Sequence, residues 1–248
     1  MKKILFFLLI VMFPISALAD DHRPYLSIDD LPNAVNYLPA PPAADSQRFF
    51  NDWSLYIWGK SMRETPRGIQ AKSDAELTAA NLSGIFSQAM GIEISAQKTP
   101  ALYDLIGRTM DTASSATRKA KKHHLRTRPY AQFREPSLIP EAEAKHNPNF
   151  SYPSGHSTVG WSVALVLVEV FPEAQDAILA RGYEFGQSRV IAGYHYQSDV
   201  DAGRLVASAT VARLHADPEF VAAVSKAKAE IKNANSASQN ARPEHQQR

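Results

Sequence analysis

Lys121, Arg128, Ser154, Gly155, His156, Arg189, His195 and Asp199 are the residues whose types and spacing suit chemistry on a small anion. They lie in three stretches: Lys121 ahead of Arg128-Pro129, then Pro153-Ser154-Gly155-His156, then Ser188-Arg189 followed by His195 and Asp199. Lysine and arginine bring charge and donors for a tetrahedral oxyanion, and the planar arginine fork matches two of its oxygens at once. A Ser-Gly turn ahead of a helix adds a hydroxyl, close main-chain N–H groups and the helix N-terminus. Two histidines allow one to attack while the other moves a proton. His195 and Asp199 stand four residues apart. On one helical turn the carboxylate accepts the imidazole N–H, fixes the tautomer and leaves the other nitrogen free to attack phosphorus.

Each piece alone has a plainer reading. The basic run from Lys119 through Lys121, Lys122, His123, His124 and Arg126 reads as a solvated helix end. Ser154-Gly155 also fits an ordinary turn with His156 as a cap, and many surface helices carry a His/Asp pair at this spacing. His156, His195 and Asp199 could ligate a metal, but the surrounding cations favour phosphate over a divalent ion, and the chain has no carboxylate-rich Asp-x-Asp cluster of the magnesium type. No metal and no cofactor are expected. His22, His123, His124, His146 and His215 are not expected to be catalytic, although His123 and His124 suit a rim.

Helical elements must carry these groups. Residues 45–62 form a helix with Phe49, Phe50, Trp53, Tyr56 and Ile57. Asp74 caps another that carries Leu77, Leu82, Ile85, Phe86 and Ala89, and Leu102, Leu105, Ile106, Met110 and Ala113 recur at helical spacing towards Lys121. Pro129 draws Arg128 into an extended conformation, so this helix ends before Arg128, and a bend brings Lys121 and Arg128 to one anion. Residues 158–170 are nearly apolar all round, which predicts a buried central helix stopped by Pro172. Further helices are expected over 173–189 and 199–215, with one starting at Asp217-Pro218. Strand signals are scarce. The reading is all-α: a single compact helical domain over residues 45–233, a proline-rich arm over 20–44 and a polar tail over 234–248. Tyr25, Leu26, Ile28, Leu31, Tyr37 and Leu38 give the arm apolar surface with which to wrap the body.

The start of the chain reads as a signal peptide over residues 1–19. Lys2 and Lys3 precede a short apolar run, and Ala17-Leu18-Ala19 forms the small-residue exit. That run is shorter than the about 20 residues of a membrane helix, and no later segment is long and apolar enough to span, so no stable membrane anchor is expected. Export to a bacterial periplasm is the expected localisation. The chain carries 27 basic and 25 acidic residues, and removing Lys2 and Lys3 with the leader balances them. No nucleic acid polymer is therefore implied as partner, and any anion site must be a local cluster. With no cysteine in its 248 residues, the chain holds its fold without disulfides and performs no thiol chemistry.

The motifs resemble those of the bacterial class A non-specific acid phosphatases, within the wider PAP2 family that includes lipid phosphatases and vanadium haloperoxidases. The pattern Lys-x6-Arg-Pro, Pro-Ser-Gly-His, Ser-Arg-x5-His-x3-Asp is filled throughout by Lys121 to Arg128-Pro129, Pro153 to His156, and Ser188-Arg189 to His195 and Asp199. The likeness extends to Pro24-Tyr25-Leu26-Ser27 and Thr65-Pro66-Arg67-Gly68. It implies metal-independent hydrolysis of a broad range of phosphomonoesters through a phosphohistidine on His195, with Asp199 as its orienting partner. His156 would then be general acid and base, and Lys121, Arg128, Ser154, Gly155 and Arg189 would bind phosphoryl oxygens. It further implies inorganic phosphate as a ligand, vanadate as an inhibitor, phosphotransfer to alcohols as a side activity, and a homo-oligomer. Phe150 departs from the glycine usual ahead of Ser-Tyr-Pro-Ser-Gly-His, and its ring is expected to narrow or line the pocket and shift specificity. A vanadate-dependent haloperoxidase and a non-catalytic phosphate-binding helical protein are the competing readings.

Overall fold

Eleven α-helices build the part of the chain that the computed structural model describes, residues 22–240. In chain order they are α1 (Gln47–Ser61), α2 (Pro66–Ser73), α3 (Ala79–Met90), α4 (Pro100–Ala116), α5 (Arg118–His124) and α6 (Pro129–Phe133). There follow α7 (Pro140–Glu143), α8 (Gly155–Val170), α9 (Gln175–Ile191), α10 (Gln197–Leu214) and α11 (Pro218–Asn240). Among the described residues there is no strand, which agrees with the all-α expectation. No helix among them is long and apolar enough to cross a membrane. The signal-peptide expectation falls on residues outside this range.

The apolar helix α8 lies at the centre, packed by α4, α9 and α10. Val159, Val163, Ala164, Val166, Leu167 and Val170 are all buried, so every side of the helix finds a neighbour. Two glycines permit close approaches to α8 from its neighbours. A Cβ on Gly182 of α9 would meet Ala164 Cβ at 2.5 Å, and one on Gly203 of α10 would meet the Ser154 carbonyl oxygen at 2.7 Å. The second approach brings the start of α10 to the start of α8, where the Ser154 N–H donates to the Asp199 carbonyl at 2.9 Å. Apolar burial of this kind contributes about 25 cal/mol per Å² of surface removed from water.

The proline-rich arm is docked along the body. Tyr25, Leu26, Leu31 and Leu38 are buried, the Tyr25 N–H donates to Thr112 Oγ1 at 3.0 Å, and its ring meets Phe220 edge-on at 5.4 Å. Local differences from the sequence reading have local causes. Asp74 ends α2 instead of capping a helix, because Thr65-Pro66 starts an unforeseen helix and Thr78 caps α3 through the Asn81 N–H. Thr117 breaks the helical run towards Lys121 into α4 and α5. Leu125 then closes α5 in the left-handed region, and Arg128 is extended ahead of Pro129 as the proline requires. Helix α8 begins three residues earlier than expected, with Ser154 as N-cap. Helix α11 runs on to Asn240, past the expected boundary at 233.

Candidate active site

A cavity of about 620 Å³ collects side chains from all three motif stretches: Lys121, Arg128, Gly155, His156, Arg189 and His195 line it together. Ala75, Leu77, Ile139, Ala142 and Tyr194 complete an apolar wall, and Ser114, Thr117, Arg118 and His146 also face it. Ser154 and Asp199 are fully buried behind these groups. Phe150 is not among the lining residues. It serves the site through its carbonyl oxygen, which accepts from Lys121 Nζ at 2.7 Å and Arg128 Nη2 at 3.0 Å.

His195 does not share a helical turn with Asp199. It lies in the turn after α9, where Gly193 takes a positive φ of 74°, and Asp199 belongs to the first turn of α10. Across that corner His195 Nδ1 stands 3.4 Å from Asp199 Oδ2, a close electrostatic contact without the geometry of a hydrogen bond. Asp199 Oδ2 already accepts from Ser151 Oγ at 2.6 Å and the Tyr196 N–H at 2.9 Å, while Oδ1 accepts from Arg126 Nη1 at 2.6 Å. The other ring nitrogen, Nε2, faces Arg128 Nη1 at 2.9 Å. A guanidinium can only donate, so Nε2 holds its lone pair towards the cavity and the ring proton sits on Nδ1, beside the carboxylate. Burial pushes the His195 pKa well below the ordinary imidazole value, and Arg128, Lys121 and Arg189 push the same way.

His156 occupies the first turn of α8, stacked on Phe185 with ring centroids 6.0 Å apart. Its Nε2 lies 3.0 Å from the Ala75 carbonyl oxygen, which can only accept, so Nε2 carries the proton and Nδ1 is the nitrogen free to titrate. Burial also holds His156 well below the usual imidazole pKa, with Arg189 as the next cause. A negative ligand beside Arg189 reverses the electrostatic part of that shift and makes His156 easier to protonate.

The cations oppose one another. Burial and the neighbouring Arg128 pull Lys121 well below the ordinary lysine value, and burial beside Arg128 brings Arg189 down to about 9. Lys121 Nζ is anchored on the carbonyls of Phe150 and Pro153, at 2.7 and 2.6 Å. Arg128 is anchored on the carbonyls of Tyr194, Phe150 and Asn147. Arg189 differs: only 3% exposed, it lies over the Tyr194 ring at 4.5 Å, and its Nε and Nη1 have no protein hydrogen-bond partner. Buried unsatisfied guanidinium donors are costly, and a tetrahedral anion in the cavity satisfies them. Ser154 caps α8, accepting from the Ser157 N–H at 3.3 Å and Ser157 Oγ at 3.0 Å, which leaves its own hydroxyl proton to donate. A Cβ on Gly155 would meet nothing nearer than Thr117 Oγ1 at 3.7 Å, so internal packing does not demand glycine there and the room belongs to the cavity.

Several supporting residues were not legible beforehand. Arg126, in the run expected to be solvated, is buried between two carboxylates, donating to Asp199 and, through Nη2 at 2.8 Å, to Asp52. Asp52 also accepts from the Ser198 N–H and hydroxyl at 2.8 and 2.6 Å, which ties α1 to α10. On the other side of the site Asp74 accepts from Arg181 and from Ser188 Oγ. His146, set aside in the sequence, lines the cavity, whereas His123 and His124 do not. The partners of these groups are far away in the chain, and no spacing signal connects them. No group of three or more His, Asp or Glu among the described residues is placed to hold a metal ion.

Comparison with known proteins identifies the family of this chain. The PAP2 superfamily model matches residues 106–220, the stretch from α4 to the start of α11 that holds every residue of the three motifs. A non-specific acid phosphatase of Providencia stuartii is 45% identical over 208 residues, covering 84% of each chain. One of Salmonella typhimurium is 37% identical over 235 residues, covering 94% of each. An acid phosphatase of Zymomonas mobilis is 34% identical over 80% of this chain and 75% of its own.

Proposed function

We propose, from the premise that this chain belongs to the PAP2 superfamily and is an acid phosphatase, that it hydrolyses a broad range of phosphomonoesters through a phosphohistidine on His195 without needing a metal. The observation that carries the reading is the convergence of Lys121, Arg128 and the unpartnered Arg189 on the cavity into which His195 turns Nε2.

In the first step the phosphoryl oxygens take over the Arg128 and Arg189 donors, with Ser154 and the Gly155 main chain supporting them. Withdrawal of Arg128 from Nε2 frees that lone pair. Nε2 forms the N–P bond as the P–O bond to the leaving alcohol breaks, and His156 gives its Nδ1 proton to the departing oxygen. Positive charge grows on His195 and is met by Asp199, 3.4 Å from Nδ1. In the second step His156 takes a proton from water, whose oxygen attacks phosphorus. The N–P bond breaks and Nε2 recovers its lone pair. An alcohol in place of water gives phosphotransfer by the same sequence. The fixed cations bind the transition state more tightly than the ester when their donors are aimed at the planar, charge-bearing equatorial oxygens of the in-line arrangement.

The test is hydrolysis of 4-nitrophenyl phosphate at acidic pH with chelator and with vanadate, followed by acid quench and detection of acid-labile protein-bound phosphate. Turnover that survives chelation, falls with vanadate and shows labelled protein only when His195 is present is the expected result. Turnover abolished by chelator and restored by a divalent metal overturns metal independence. Labelled protein that persists in His195→Ala overturns the assigned nucleophile.

A further inference from the structure

We propose that Arg118 is a specificity-determining residue, favouring phosphomonoesters whose leaving group carries a second negative charge such as a carboxylate or another phosphate. The inference rests on the phosphatase reading of the same cavity.

Arg118 opens α5 three residues before Lys121, and both side chains line the cavity. Helical residues three apart share a face, with Cβ atoms about 5–6 Å from each other. Arg118 thus stands roughly one turn from the cation that helps hold the phosphoryl group, a distance that a substituent on a small leaving group spans. The start of α5 stands against the start of α8: the groups nearest a Cβ on Gly155 would be Thr117 Oγ1 at 3.7 Å and Lys121 Cε at 3.9 Å.

The two cations differ in what engages them. Lys121 is half-buried and anchored on two carbonyl oxygens. Arg118 is exposed and its side chain has neither hydrogen bond nor ion pair among the described residues, although its neighbour Lys119 pairs with Asp29 at 3.1 Å. Among the described residues no Asp or Glu lines the cavity, so nothing there neutralises the Arg118 guanidinium. Leu77 and Ile139 give the carbon skeleton of a leaving group an apolar wall, and Arg118 gives its distal anion a donor fork.

The experiment compares 4-carboxyphenyl phosphate with its neutral carboxamide counterpart at a pH above the carboxylate range, in the parent and in Arg118→Gln. Taking the ratio of the two esters within each protein cancels leaving-group electronics and any general loss of activity. The expected result is a roughly two- to fivefold fall in that ratio of kcat/KM, carried mainly by KM, for the loss of one exposed charge contact. The effect shrinks as salt is raised, and Arg118→Lys retains part of it. A ratio unmoved in Arg118→Gln, or moved equally by Lys122→Gln on the same helix or His146→Gln across the cavity, overturns the assignment. Failure of the parent to hydrolyse either ester overturns the phosphatase reading, and this inference with it.

Discussion

The two cavity histidines have opposite surroundings. His195 is held in a charged frame: Arg128 faces Nε2 at 2.9 Å, and Asp199 stands 3.4 Å from Nδ1, itself braced by Arg126 and through it by Asp52. His156 meets neutral groups, the Ala75 carbonyl at 3.0 Å and the Phe185 ring. Each side has a buried Asp–Arg pair behind it. On the His195 side the carboxylate touches the histidine's own surroundings. On the other, Asp74 binds Arg181 and the Ser188 hydroxyl, next to Arg189 in the chain, and directly precedes Ala75, whose carbonyl faces His156. The contrast separates a nitrogen whose lone pair is aimed and kept from one whose proton is free to come and go. Burial is the largest cause lowering both pKa values, so burial is not what distinguishes the roles.

The largest test of that contrast is His195→Ala. Loss of an attacking group is expected to cost about 10⁴-fold or more in kcat and to abolish phosphoenzyme. His156→Asn is expected to cost about 10²- to 10⁴-fold on an alkyl phosphate but far less on 4-nitrophenyl phosphate, whose leaving oxygen needs little protonation. Equal losses on both esters would remove His156 from the proton-transfer role. Arg126→Met leaves Asp199 and Asp52 buried without their shared counter-ion, at an expected cost of about 3–5 kcal/mol in a urea melt. It should also lower kcat more than it raises KM, with Arg126→Lys recovering part of both. Arg181→Met, the counterpart behind His156, should spare kcat on the activated ester; a loss matching that of Arg126→Met would erase the distinction between the two sides.

The smallest effect concerns pH. Both histidines fold with pKa values below that of free imidazole, about 6.5, so the unfolded chain takes up their protons first as pH falls. Their neutral burial therefore carries no penalty above about pH 6.5 and costs stability progressively below it. A bound dianion favours protonated His156, so sulfate, which stays a dianion throughout this range, should raise Tm more at pH 5 than at pH 7. A sulfate shift independent of pH would take His156 titration out of the comparison.

Much of this was legible in local patterns. Apolar residues nearly all round over 158–170 foretold the buried α8, and Pro129 foretold the extended Arg128. Lys121, Arg128, Gly155, His156, Arg189 and His195 were all singled out from type and spacing, and they meet in one cavity. Arg126 was misread because a basic run after a helix looks the same whether its last side chain meets water or two carboxylates. Asp52 lies 146 residues from Ser198, and nothing in the spacing of either residue announces the other. His146 was discounted because it stands outside the motifs, although the chain returns it to the cavity beside Tyr194.

The sequence by itself determined the groups available for chemistry, the helical period that carries them and the prolines and glycines that stop or seat those helices. These are matters of side-chain type and of neighbours a few residues away. Tertiary structure decided which nitrogen of each histidine faces the cavity, which cations are anchored on carbonyls and which is left for a ligand. It also decided that His195 meets Asp199 across a corner instead of along a helix. Those outcomes depend on partners dozens of residues apart, brought within hydrogen-bond reach only when α8, α9 and α10 pack, and the pattern of a single strand of sequence carries no record of such distances.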